Sequence, residues 1–99
     1  MLELSTPFVV ETSFRLPGLG LLVLPAAPEP SWLTACSLHT MLTVRLPAST
    51  QYSLPVIGTI EEISHSDQLA RRALLLDFDP SIPLSSGIYL QVEEAPSEF

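Results

Sequence analysis

Hydrophobic residues in this chain recur with a period of two, and proline and glycine cut the recurrence at short intervals. From Phe8 to Leu16, Phe8, Val10, Thr12, Phe14 and Leu16 share one parity, while Val9, Glu11, Ser13 and Arg15 take the other. Successive side chains of a strand point to opposite faces, so the pattern reads as a half-buried strand. Pro17-Gly18 follows. Proline presets φ at the second position of a turn, and glycine tolerates the positive φ of the third. Leu19 to Leu24 is then apolar for one strand length, so strand, turn and strand make a hairpin.

The same rhythm continues. Leu38 to Leu46 alternates, with Leu38, Thr40, Leu42, Val44 and Leu46 on one side. Leu54 to Ile63 places Val56, Gly58 and Ile60 opposite Ile57, Thr59 and Glu61. Gly58 inside a strand signals a bulge, a bend or a close backbone approach. Arg72 to Phe78 turns Leu74, Leu76 and Phe78 inward, but its other face, with Ala73 and Leu75, is also apolar. Ile88, Leu90 and Val92 form the last strand, after a turn at Ser85-Ser86-Gly87. Only Ser66 to Ala73 has a pattern compatible with a helical turn or two. Six or seven short strands with turn residues between them point to an all-β barrel or sandwich.

Pro25 to Ser31 holds Pro25, Pro28 and Pro30, and proline supplies no ladder donor, so this stretch is an exposed loop. Trp32-Leu33 behind it plugs back onto the barrel. Trp32 is the lone tryptophan and reads as a core or rim plug, with a contact hot spot as the alternative. Residues 1–93 make one domain, and 94–99 form a flexible acidic tail.

The chain's 99 residues allow one small domain. With 46% hydrophobic and 15% charged residues it is not a disordered chain. Cys36 is alone, which excludes a disulfide framework. The longest apolar run, Leu16 to Ala27, is broken by Pro17, Gly18, Gly20 and Pro25, so no membrane helix is expected. The first residues lack a basic stretch followed by an apolar one, so the expected compartment is the cytoplasm. A net charge of -7, with no lysine and four arginines, disfavours nucleic acid and acidic lipid.

Phe14 to Val23, F-R-L-P-G-L-G-L-L-V, resembles the strand-turn-strand of the second domain of translation elongation factor Tu-type GTPases, with Gly18 and Gly20 matching its glycines. Val56-Ile57-Gly58-Thr59-Ile60-Glu61 looks like that domain's strand ending in a hydrophobic-Glu pair. Ala73 to Leu76, followed by Pro83 to Leu90, looks like its closing segment, with Gly87 at the turn. The resemblance spans residues 8 to 92 and implies a Greek-key-like barrel. In that family the domain contacts aminoacyl-tRNA, the nucleotide domain or protein factors. Here Leu19 stands for a basic residue between the glycines, Pro25 for a glycine, Cys36-Ser37-Leu38-His39 for a Gly-Asp turn, and Ser86 for an arginine.

Without lysine no Walker-type phosphate loop exists, so the chain is not a GTPase by itself. Cys36 and His39, with His65 and Asp67, have the residue types of a zinc shell. Four such residues arise easily by chance, and a buried cysteine, a strand histidine and a polar loop explain them. Ser64-His65-Ser66-Asp67 holds the residue types of a hydrolytic triad, but sequence neighbours point apart. Glu61-Glu62 and Asp77 with Asp79 are carboxylate pairs that glycoside chemistry would need across a cleft, and a small barrel is filled by its own side chains. No catalytic residue, metal or cofactor is expected.

The expected function is therefore a non-catalytic protein-binding or assembly module. A tRNA- or ribosome-associated accessory factor and a small hydrolase are the alternatives. Pro17, Gly18, Gly20 and Gly87 are the structural turns. Trp32, Met41, Ile57 and Leu75 are the candidate interface. Apolar residues on nominally outward faces mark such a surface, and a homodimer is a common way to cover it.

Overall fold

A computed structural model of the chain describes residues 6–47, 55–64, 70–80 and 84–94. Strands β1 (Phe8–Leu16), β2 (Gly20–Pro25), β3 (Met41–Arg45), β4 (Val56–Ile63), β5 (Arg71–Leu76) and β6 (Tyr89–Glu94) close into an antiparallel barrel. Around the barrel the order is β1-β2-β5-β4-β3-β6. β3, β4 and β5 form a meander, and β6 returns beside β3, which is the Greek-key order. The expectation of six or seven strands thus resolves to six. β1 and β6 meet through Phe8–Leu90 and Val9–Tyr89, and the bond from the Val10 amide to the Ile88 carbonyl (2.9 Å) extends the seam.

The period of two fills the interior. Phe8 and Val10 come from β1, Leu21 and Val23 from β2, Leu42 and Val44 from β3, Ile60 from β4, Leu74 and Leu76 from β5, and Leu90 and Val92 from β6. Each is buried, and no polar or charged side chain is buried among the described residues. Gly58 faces inward with them. A Cβ there would lie 3.0 Å from Leu76 Cδ2 and 3.1 Å from Val44 Cγ2, so the glycine admits both neighbours. Gly58 is thus a point of close packing.

β1 departs from simple alternation. Val10 pairs with Pro25 but Thr12 with Leu24, so Glu11 is an extra residue on β1. Such a bulge shifts every later side chain by one face. Ser13 now opposes buried Val23, and Phe14 opposes Leu22 on the outside. Phe14, expected to share the inward parity of Phe8 and Val10, is instead 49% exposed. The Ser13 hydroxyl donates to the carbonyl of buried Leu84 (2.9 Å).

Pro25, expected to open an exposed loop, instead ends β2 opposite Val10 and is fully buried. Pro30 is buried as well, so only the middle of the proline stretch faces water. The stretch leads into a short helix, α1 (Trp32–Ala35), which the sequence pattern did not suggest. Trp32, Leu33 and Cys36 join the core, and the Trp32 ring lies 6.3 Å from that of Phe8. The Trp32 indole N–H donates to the Thr6 carbonyl (2.8 Å). Arg72 Nη1 donates to the carbonyl oxygens of Cys36 (2.9 Å) and Leu33 (3.5 Å), which a four-residue helix leaves without internal partners. Where Ser66 to Ala73 suggested a helical turn, Arg71 to Ala73 belong to β5, and 65–69 lie outside the described residues. Leu38 and His39 form a turn, with His39 at φ 69°, so β3 begins later than the alternation implied. β6 runs on through Glu94, which pairs with Leu42. The rest of the expected tail lies outside the described residues.

Candidate interaction surface

The predicted turn glycines take the conformations their positions require. Gly18 has φ 81° and Gly87 φ 89°. Gly20, at φ 136°, is also packed so tightly that a Cβ would overlap the Leu76 carbonyl oxygen. These residues, with Pro17 in the first turn, set the barrel's shape.

The candidate interface residues do not stay together. Trp32 is 2% exposed inside the plug and presents nothing to a partner, because its indole is used to close the barrel. Met41, Ile57 and Leu75 do share the outer wall. Register places Met41 beside Thr59, Thr59 beside Leu75, and Leu75 beside Leu22. Leu22 in turn lies beside Phe14. The result is a stripe running across β1, β2, β5, β4 and β3, interrupted only by Thr59. Ile57 lies two residues before Thr59 on the same face of β4. Met41 is 57% exposed, Ile57 36%, and Leu22 and Leu75 are half-buried. Phe14 and Leu22 were missing from the sequence-based set. The bulge at Glu11 carries Phe14 outward, and a continuous apolar run such as Leu19 to Leu24 does not mark which leucines face in.

Charged groups border this stripe. Arg71, on the outer face of β5, bridges Glu11 (3.4 Å) and Glu29 (3.5 Å) and donates to the Pro25 carbonyl (3.0 Å). Glu61 accepts a hydrogen bond from the Thr59 hydroxyl (2.8 Å) and lies 3.1 Å from His39 Nδ1. Asp77 continues the outer face of β5 beyond Leu75, and its amide donates to the Ile57 carbonyl (2.7 Å). Next to it, Arg15 clasps Asp79 through two bonds of 2.7 and 3.1 Å. The hydrogen bond from Arg15 holds the Asp79 carboxyl below the usual carboxylate range, against desolvation, and the arginine's charge adds to the lowering. Leu16, Gly18, Leu19, Gly20, Asp77, Phe78 and Asp79 line an open notch of about 200 Å³ at this end of the stripe.

The other chemical candidates are dispersed. Cys36 is buried beneath α1, whereas the His39 side chain is 74% exposed in its turn. No group of three or more His, Cys, Asp or Glu is arranged for a metal among the described residues. Burial first, and the Glu94 carboxylate second, push the Cys36 thiol up, with Arg72 opposing. Of the Ser64 to Asp67 cluster only Ser64, exposed, falls within the described residues. Glu61 and Glu62 alternate faces on β4, and Glu62 turns to Arg72 (3.9 Å). Among the described residues no helix is long and apolar enough to cross a membrane.

No protein-family model matches the chain, and no curated protein or solved structure is significantly similar to it. What fold and surface define is a class: a closed six-stranded Greek-key barrel carrying an apolar stripe on its outer wall.

Proposed function

We propose that this protein is a non-catalytic binding module that docks another protein on the Phe14–Leu22–Leu75–Met41 stripe. The observation that carries the reading is the alignment of Phe14, Leu22, Leu75 and Met41 across the outer wall, broken only by Thr59 on β4, of a barrel whose core is already filled. Large apolar side chains left in water cost about 25 cal/mol per Å² of area that a partner would cover. Contiguous patches of this kind mark interaction sites.

The likeness to the second domain of elongation factor Tu-type GTPases belongs to the same proposal. The Greek-key order, the Gly18–Gly20 turn and Gly87 ahead of the closing strand support it. An RNA-contacting role is less favoured, because each of the four arginines is engaged by carboxylates of its own chain. Phosphate binding depends on cations free to displace counterions.

A photo-crosslinking residue placed at Met41, activated in extract of the native host, tests the docking reading. A discrete adduct that disappears in a Phe14→Asp background, with an unchanged circular-dichroism melt, is the expected result. Absence of any discrete adduct, combined with a monomeric mass in light scattering, overturns it.

A further inference from the structure

The proposed docking stripe is unusual in how its surroundings are charged, and this bears on what binds there. Arg71 is met by both Glu11 and Glu29, which leaves that cluster net negative. Among the described residues Glu61 faces only a histidine and a threonine hydroxyl. The Asp77 carboxylate has no ion pair among the described residues, and it stands on the same face as Leu75, across from Ile57. Arg15 is neutralised by Asp79 and Arg45 by Glu93. Every cation near the stripe is thus spent within the chain, while three negative charges remain around it.

From this complementarity we infer that the occupant is a protein segment whose apolar residues are flanked by lysine or arginine. The apolar side chains lie on Phe14, Leu22, Leu75 and Met41, and one cationic side chain enters the notch between Leu19 and Phe78 to meet Asp77. The notch is suited to a long, thin side chain. Gly20 contributes no side chain to its lining, and Leu16 and Leu19 offer apolar walls for the methylenes while Asp77 takes the charge. A second copy of the chain fits less well, because it brings another surface of net charge -7 and like charges across an interface oppose association.

The inference rests on the docking reading, so its test separates the two. Three synthetic peptides of equal length, built from Leu and Lys, Leu and Glu, or Ser and Lys, are titrated against the full chain by fluorescence anisotropy. The Leu/Lys peptide is expected to bind tightest and to weaken as salt rises. Its affinity should fall about tenfold for Asp77→Asn, and about tenfold for Met41→Ser combined with Ile57→Ser, which alters no charge. Two results overturn the charge assignment while leaving the stripe a docking site. One is Leu/Glu binding as tightly as Leu/Lys. The other is a dimer in sedimentation that Leu75→Glu dissolves. Equal binding of Ser/Lys and Leu/Lys, unaffected by the Met41 and Ile57 changes, overturns the stripe as well.

Discussion

Gly20 lies against the carbonyl oxygen of Leu76 with no room for a side chain between β2 and β5. Gly18, two residues earlier in the same hairpin, has open space around it. Both hold positive φ, so the two positions separate backbone strain from steric overlap. Gly18→Ala is expected to destabilise by about 1 kcal/mol, the cost of a left-handed alanine. Gly20→Ala adds displacement of backbone and should cost roughly 3 kcal/mol or more. Urea unfolding midpoints check the order. Equal effects would mean that β2 does not approach β5 this closely.

The bulge at Glu11 predicts opposite fates for two phenylalanines of one strand. Phe8 is wholly buried against Trp32, and its replacement by alanine should cost roughly 3–5 kcal/mol. Phe14 is half in water, and Phe14→Ala should cost about 1 kcal/mol or less. Thermal melts of the two variants decide. A loss at Phe14 matching that at Phe8 would place both in the core.

The Arg15–Asp79 clasp makes a pH prediction with a definite sign. Asp79 titrates below its unfolded value of about 3.9. Its contribution is therefore complete above that value and disappears as pH falls through the lowered folded value. A carbon-detected NMR titration should find the Asp79 midpoint depressed in the native chain and returned to the ordinary range by Arg15→Gln. An unchanged midpoint in the variant would show that the ion pair is absent in solution.

Cys36 reports on the plug. Buried, and with its thiol held protonated, it should resist iodoacetamide at neutral pH and react fully in denaturant. Arg72→Met removes the donor to the Cys36 and Leu33 carbonyls. It should cost about 1–3 kcal/mol and accelerate labelling, with a red shift in Trp32 fluorescence as the indole meets water. Rapid labelling of the unaltered chain would contradict a closed plug.

Much of this fold was legible because a period of two is a local property. Each strand was visible within a few residues of its observed bounds, and so were Gly18 and Gly87, whose turn chemistry lies in adjacent residues. Gly58 announced a bulge, a bend or a close approach without deciding among them, because the side chains that pack on it, Val44 and Leu76, come from other strands. What escaped depends on tertiary partners. The α1 helix is four residues long, and donors on distant Arg72 complete its carbonyls. The bulge is a mismatch in count between β1 and β2, invisible in β1 alone, and it hid Phe14 from the set of outward residues. Trp32 was divided between plug and contact because an amphipathic ring suits either. The Thr6 carbonyl that fixes it lies far away in sequence.

The extra residue in β1 has a bearing on heredity. Removing one codon at Glu11 would take out the extra residue and leave Thr12 on Leu24, Ser13 on Val23 and Phe14 on Leu22, so each side chain would keep its face. The bulge absorbs a one-residue change in length without exchanging the inner and outer walls. A lineage carrying such a barrel would gain or lose that residue and keep the surface, and a gap at this one column would not signal a lost outer wall.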